Sequence, residues 1–443
     1  MTVRVREFRG AGGDADAPYL FYLQGGPGSG GSRPPRVGGW MKEALGRFRV
    51  LMLDQRGTGT SDPVTFETLE AMTPEDGAAY LTHLRAPSIV ADAEMIRLAL
   101  GSPAWTTMGQ SFGGFCTLSY LSFFPEGLER SLVTGGLAPV TGHADRVYQA
   151  TYARMRERQD EFFGRYPSAW QGWVDLVAHL RSRAAAGTPE RLSDGSELTV
   201  ARAQMLGMYL GGNTRVDQLY YLLTESLSTE LTGGAEGAPQ VRVHENLRSA
   251  VEAMVERRST LLYSVLHEAI YAQPSAPREG GSTATDWSAQ RVLADHPDFA
   301  PDAEPAPLLT GEHVFATQFD AGTALEGLAE TADLLAQQES FGALYDVERL
   351  SENTVPVAAA VYTHDVFVDR ALSLETATAV RGLRVWESDA YHHDGIGDDG
   401  PGIVQRLLAL TDSTEPSAQA RPNGGERGRR GGCQQPRRGR TGG

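Results

Sequence analysis

The chain has 443 residues, a formal net charge of -16 and a hydrophobic fraction of 41%, enough for a sizeable core and long enough for two or three domains. The acidic balance argues against nucleic acid as a partner, no apolar run reaches the 18 residues of a membrane span, and the charged start MTVRVREFRGAGG lacks the apolar middle of a signal peptide. Two cysteines, Cys116 and Cys433, make no disulfide framework, so a reducing, cytoplasmic setting is expected.

Tyr19 to Leu23 reads as a buried strand that runs into Gln24-Gly25-Gly26-Pro27-Gly28-Ser29-Gly30-Gly31. No lysine follows as a phosphate-binding loop requires, and the spacing fails the dinucleotide fingerprint. The loop is read instead as one whose backbone N–H can face a developing oxyanion, with a flexible surface turn as the plain alternative. Arg49 to Leu53 is a second strand. It ends in Asp54-Gln55-Arg56-Gly57-Thr58-Gly59-Thr60-Ser61, where an Asp54–Arg56 pair is expected to pin the loop. Ser88 to Leu100 places Ile89, Ala93, Ile96 and Leu100 on one face at helical spacing.

That helix leads into Trp105 to Met108 and then Gly109-Gln110-Ser111-Phe112-Gly113. This is the G-x-S-x-G form of a nucleophile elbow, a sharp strand-to-helix turn that thrusts the serine hydroxyl out of a sheet. Glycines two residues to either side leave room for the turn. An ordinary strand–helix turn fits the same five residues. Ser131 to Thr134 is the next strand, and the alternation of strands and helices argues for a parallel sheet covered by helices.

From Gly142 to Asn353 strands are scarce. Helical stretches are expected over Arg146 to Tyr166, Ala169 to Ala186, Leu198 to Leu210, Val216 to Thr229, Val241 to Arg257, Thr260 to Gln273 and Ala321 to Gln338. The linkers between them are rich in Gly, Pro and Ala, as at Thr232 to Pro239. The sheet resumes at Val355 to Tyr362 and Leu383 to Trp386, and a last helix spans Ile403 to Leu410. The expected organisation is a core of residues 1–141 and 354–412, a helical cap of 142–353, and a disordered tail of 413–443 with seven arginines against two glutamates.

A catalytic serine needs a base, and the base needs an orienting acid. Ser111, Asp365 and His393 follow three strands in the order Ser, Asp, His that sheets of this kind use. Asp369 competes with Asp365, and His392 with His393. No metal-ligand set or cofactor motif is present in the sequence, and the chemistry requires none.

The motifs LQGGPGSG (23–30), LDQRGTGTSDP (53–63), GQSFGGF (109–115), HEAIYAQ (267–273), DWSAQR (286–291), LTGEHVF (309–315), YTHDVFVD (362–369) and YHHDG (391–395) together resemble the proline iminopeptidase (prolyl aminopeptidase) family of α/β-hydrolase serine peptidases. The likeness covers roughly residues 5 to 410 and is strongest to the longer, actinobacterial-type branch with a large cap. It implies an α/β-hydrolase fold, a mostly parallel sheet flanked by helices with a large inserted helical cap. It implies Ser111 as nucleophile, His393 as base, Asp365 as orienting acid, and the backbone N–H groups of Gly26 and Phe112 as oxyanion donors. It further implies Glu268 and Glu312 as receptors of the positively charged end of peptides beginning with proline, with Tyr271, Trp287 and Phe315 as wall candidates. The family's N-terminal β-hairpin has no obvious counterpart in the roughly twenty residues before Gln24, so missing edge strands are expected. The family usually has an acidic residue where His392 stands. An esterase, amidase or broader aminopeptidase with the same triad, and a non-catalytic relative, are the competing readings.

Overall fold

Alternating and apolar runs form the strands of a twisted sheet in the computed structural model, which describes residues 1–231, 239–255 and 260–413. In chain order these are β1 (Arg4–Phe8), β2 (Tyr19–Leu23), β3 (Arg49–Asp54), β4 (Trp105–Gln110), β5 (Leu128–Thr134), β6 (Leu227–Leu231), β7 (Pro239–Val243), β8 (Val357–Tyr362) and β9 (Leu383–Ser388). Seven pair in the order β1-β3-β2-β4-β5-β8-β9. β1 is antiparallel to β3, and every other pairing in this sheet is parallel.

Parallel strands are covered on both faces, so their residues divide between two apolar layers. In β2, Leu20 and Tyr22 join Met41, Val50, Met52, Ile403 and Leu407 on one side. Phe21 and Leu23 face the other way, with Leu51, Leu53, Val90 and Trp105. Phe21 stacks on Trp105 at 4.4 Å between ring centroids. Each such fully buried side chain contributes about 1.5–3 kcal/mol of transfer free energy. β3 and β4 lie on opposite sides of β2, so the loops leaving β2 and β4 diverge and open a crevice at the carboxyl ends of the strands.

Between β5 and β8 the chain leaves the sheet for residues 135–356. The helices Ala144–Arg165 and Pro167–Ala185 match their expected positions. Trp173 is buried and donates Nε1 to the Pro307 carbonyl at 2.7 Å. A second apolar cluster joins Leu262, Leu266, Leu328 and Leu335 of this insertion to Val64, Leu69, Leu81 and Leu84.

Several expectations are corrected. An edge strand does precede Tyr19. Arg4–Phe8 pairs on one side only and keeps charged, half-exposed side chains, so no apolar run announces it. Where helices were expected to reach Thr229 and begin at Val241, β6 and β7 form an antiparallel pair. LSTEL and PQVRV do alternate with period two. The helix expected over Leu198 to Leu210 tightens to a 3₁₀ turn at Met205–Gly211, and the one over Thr260 to Gln273 ends at Leu266 before a 3₁₀ turn at Glu268–Ile270. The last helix begins at Gly395 and bends at Asp399, two residues before Pro401. Asp54 does not pair with Arg56. It holds Arg6 at 3.1 Å and Arg33 at 2.6 Å, while Arg56 reaches Asp92 at 2.7 Å; the chain turns after Asp54 and sends the two side chains to different elements. Residues 414–443, Cys433 and most of the Thr232 to Pro239 linker lie outside the described residues.

Candidate active site

Ser111 follows the last residue of β4 directly and has φ 54° and ψ -126°, in the left-handed region that a side chain rarely occupies. The flanking glycines are sterically required. A Cβ on Gly109 would collide with the Gly113 carbonyl, and one on Gly113 with the Leu23 carbonyl. The strain presents the hydroxyl at the crevice, and Phe112 becomes the first residue of the Phe112–Phe123 helix. Its N–H has no acceptor within that helix, as at any helix start.

His393 stands five residues beyond β9 and Asp365 three beyond β8. His393 Nε2 lies 3.0 Å from Ser111 Oγ. His393 Nδ1 lies 2.9 and 3.1 Å from the two Asp365 oxygens. Asp365 is 1% exposed, and its Oδ1 also accepts the N–H groups of Phe367 and Val368, both at 2.9 Å. With Nδ1–H donated to Asp365, Nε2 is the nitrogen left to accept the serine proton. Burial opposes a charge on His393, but the Asp365 carboxylate, reinforced by Glu312 and Asp394, outweighs it and lifts the ring to about 9.

The competitors stand outside the Ser111–His393–Asp365 hydrogen bonds. Asp369 caps the Arg370–Ala379 helix through the Leu372 N–H at 3.0 Å and pairs with Arg154 at 3.1 Å. His392 is buried with Glu161 Oε2 3.8 Å from its Nε2, and among the described residues neither ring nitrogen has a hydrogen-bond partner. Burial and the nearby Arg158 push it down to about 4, so it is neutral at pH 7.

The glycine loop runs against the serine. A Cβ on Gly25 would stand 2.7 Å from Gln110 Oε1 and 3.2 Å from Ser111 Cβ, and one on Gly28 would stand 2.9 Å from the Tyr263 nitrogen. Asp54 and Gln55 brace the loop from behind, accepting the Gly31 N–H at 2.9 Å and donating to the Gln24 carbonyl at 3.0 Å, respectively. Gly26 and Phe112 therefore belong to the two segments that flank Ser111.

The insertion brings carboxylates and aromatic rings to this end of the sheet. Glu312, half-buried, accepts from the Tyr263 hydroxyl at 2.9 Å, and its charge is one of those that raise His393. Glu268 is buried. Its oxygens accept the Ser288 N–H at 3.0 Å and the Ala289 N–H at 2.9 Å, and the Thr285 side chain adds a further hydrogen bond. Burial raises its carboxyl to about 7, although those two amides favour the charged form. The Tyr271 ring lies 5.6 Å from Phe115 and 6.2 Å from Tyr148. Burial and then Glu312 push its phenol upward, and burial and then Glu268 do the same to Tyr148.

Two of the three wall candidates line cavities that contain no triad residue. Trp287 packs on Phe319, donates Nε1 to Asp333 at 2.8 Å, and lines with Glu268 a void of about 20 Å³. Phe315 stacks on His313 and lines a separate cleft of about 680 Å³ with Arg202, Met205, Leu293 and Phe299. Sequence reasoning missed Tyr148 and Tyr263. Both sit among apolar helical neighbours, so nothing in the pattern separates them from core residues. Among the described residues no group of acidic, histidine or cysteine side chains could hold a metal, and no helix is long and apolar enough to cross a membrane.

The family model for the alpha/beta hydrolase fold matches residues 18–221. The chain is 40% identical over 398 residues to a proline iminopeptidase of Aeromonas sobria, covering 90% of this chain and 88% of that one. It is 31% identical over 406 residues to the proline iminopeptidase aneH of Aspergillus aculeatus, covering 90% and 86%. A solved proline iminopeptidase of Mycobacterium smegmatis overlays 93% of this chain and 96% of its own, at 14% identity and a TM-score of 0.42.

Proposed function

The chain belongs to the proline iminopeptidase family of α/β-hydrolases, and on that premise we propose that it is a serine exopeptidase that releases N-terminal proline through an acyl-enzyme. His393 removes the Ser111 proton as Oγ attacks the prolyl carbonyl. The Gly26 and Phe112 N–H groups hold the oxyanion of the tetrahedral intermediate. His393 then gives its proton to the departing peptide amine, and the same route in reverse lets water release proline. Asp365 keeps the imidazole in one tautomer throughout.

The observation that carries the substrate assignment is Glu312, a carboxylate braced by Tyr263 and close enough to act on His393. A carboxylate there suits a substrate that brings a cation to within a residue of the scissile bond. In the free enzyme Glu312 helps hold His393 protonated. A bound imino cation offsets that charge and frees the base, so the correct substrate arms its own catalyst. Glu268 is the second receptor of the cation, and Tyr271 flanks the ring of the proline. Residues 142–353 act as the cap that supplies these groups.

Release of naphthylamine from proline-naphthylamide, beside the alanine and leucine analogues and a short-chain ester, tests this reading. Strong proline preference that disappears in Ser111→Ala is the expected result. Ester hydrolysis without proline release would overturn the substrate assignment while keeping the triad.

A further inference from the structure

Arg85 is the residue before the Ala86–Ala99 helix, on the core side of the molecule, and only 3% of it is exposed. Among the described residues no carboxylate lies within ion-pair distance of it. A buried guanidinium normally requires one. Its charge is met instead by three backbone carbonyls, all of the insertion. Nε donates to Ala269 at 2.9 Å, Nη1 to Gly342 at 3.2 Å, and Nη2 to Ala272. The guanidinium carbon lies 4.4 Å from the centre of the Phe341 ring, a cation–π contact that offsets part of the lost hydration. Burial lowers the cation to about 10, so it stays charged at neutral pH.

The carbonyls it holds are the significant part. Ala269 and Ala272 belong to the short segment that begins with the 3₁₀ turn Glu268–Ile270 and continues through Tyr271. Within this segment the Glu268 and Ala269 carbonyls also accept the Tyr271 and Ala272 N–H groups at 3.1 and 3.4 Å, and a fixed planar fork of donors can set the position of two carbonyls at once. Glu268 and Tyr271 lie on the same segment as those carbonyls. Arg85 is thus a buried polar link between the helix ahead of β4 and the segment that carries Glu268 and Tyr271.

We propose that Arg85 is a positioning residue for substrate recognition: by clamping the carbonyls of Ala269 and Ala272 it holds Glu268 and Tyr271 in register with Ser111. The proposal rests on the reading of Glu268 and Tyr271 as receptors of the N-terminal residue. It separates recognition from chemistry, because Ser111, His393 and Asp365 take no hydrogen bond from Arg85.

The experiment compares wild type with Arg85→Met and Arg85→Lys on proline-naphthylamide and on a short-chain ester that carries no cation, with the rate of Ser111 labelling by a fluorophosphonate as a check on the triad. Arg85→Met is expected to raise KM for the proline substrate by about ten- to a hundredfold, the scale of a displacement near 1 Å. Ester turnover and labelling should stay within about threefold of wild type, because neither uses the clamped segment. Lysine keeps the charge and reaches fewer carbonyls, so Arg85→Lys should recover part of the KM. If Arg85→Met does not fold, the lysine variant alone still decides, through the ratio of its proline to ester effects. Unchanged KM for the proline substrate overturns the proposal, and so does an equal loss on both substrates, which marks a merely structural residue. A wild type indifferent to the substrate's cation would instead sink the functional reading, and this proposal with it.

Discussion

The sheet end of the site and the insertion end are held by different means. Ser111, Asp365 and His393 stand one, three and five residues beyond β4, β8 and β9. Parallel pairing with neighbours fixes each strand, and the close approach of the Gly113 and Leu23 carbonyls leaves no room for a side chain at Gly109 or Gly113 beside the serine. Glu268, Tyr271 and Glu312 instead stand on a 3₁₀ turn and an irregular strip, located by single hydrogen bonds from Ser288, Ala289 and Tyr263 and by the reach of Arg85. Chemistry is placed by sterics that tolerate no change. Recognition is placed by packing that can be retuned one contact at a time.

Substitutions can break that contrast. Ser111→Ala should lower proline release by about 10⁶-fold and abolish fluorophosphonate labelling, with the fold unchanged by circular dichroism. Asp365→Asn should cost about 10⁴-fold in kcat by loosening the tautomer of His393. Asp369→Asn, four residues on, should leave kcat nearly intact and cost at most about 1 kcal/mol in urea unfolding, the value of its pair with Arg154, because asparagine still caps the helix. Equal effects of the two would mean that the sheet end is less strictly fixed than argued.

Glu312→Gln sharpens the other side. Loss of one partner of a buried charge pair is worth about 1.5–4 kcal/mol, so kcat/KM for the proline substrate should fall by about 10- to 1000-fold. The pH profile carries a sign. Against burial, the Asp365 carboxylate first and Glu312 after it favour the protonated form of His393 and hold the ring at about 9. Removing the Glu312 charge lowers the ring, the neutral base persists at lower pH, and the acid limb of kcat/KM for the ester should move to lower pH. A limb that stays in place, or moves up, would remove Glu312 from the neighbourhood of the base in solution.

Two glycines give the smallest and cleanest pair. Gly113→Ala places a methyl against the Leu23 carbonyl and should destabilise the protein by about 1–3 kcal/mol or more in thermal or urea unfolding. Gly164, in the Ala144–Arg165 helix of the insertion, has open space around it. Gly164→Ala should stabilise by up to about 1 kcal/mol, the helix-propensity difference.

The same contrast explains what was legible in the sequence. Each triad residue follows a strong apolar run, and G-x-S-x-G has a steric meaning that survives without coordinates. β1 was hidden because an edge strand needs no apolar run, and β6 and β7 because their alternation is short and follows a helix. Trp287 and Phe315 were chosen for residue type beside a motif, and type does not say which side of an irregular segment a ring takes. Tyr148 and Tyr263 were overlooked for the converse reason: on a helix their rings count as core. Arg85 left no trace, because its partners are carbonyls more than 180 positions away.

The sheet order has a consequence in time. Serine and base are 282 positions apart, with the whole of 135–356 between β5 and β8. At about 5–20 residues per second, a ribosome that has finished the elbow needs roughly fifteen seconds to a minute to reach the histidine. On the proposed function, a nascent chain that has made the elbow still lacks the base that Ser111 needs, and a fragment that ends before His393 carries the nucleophile without its proton acceptor.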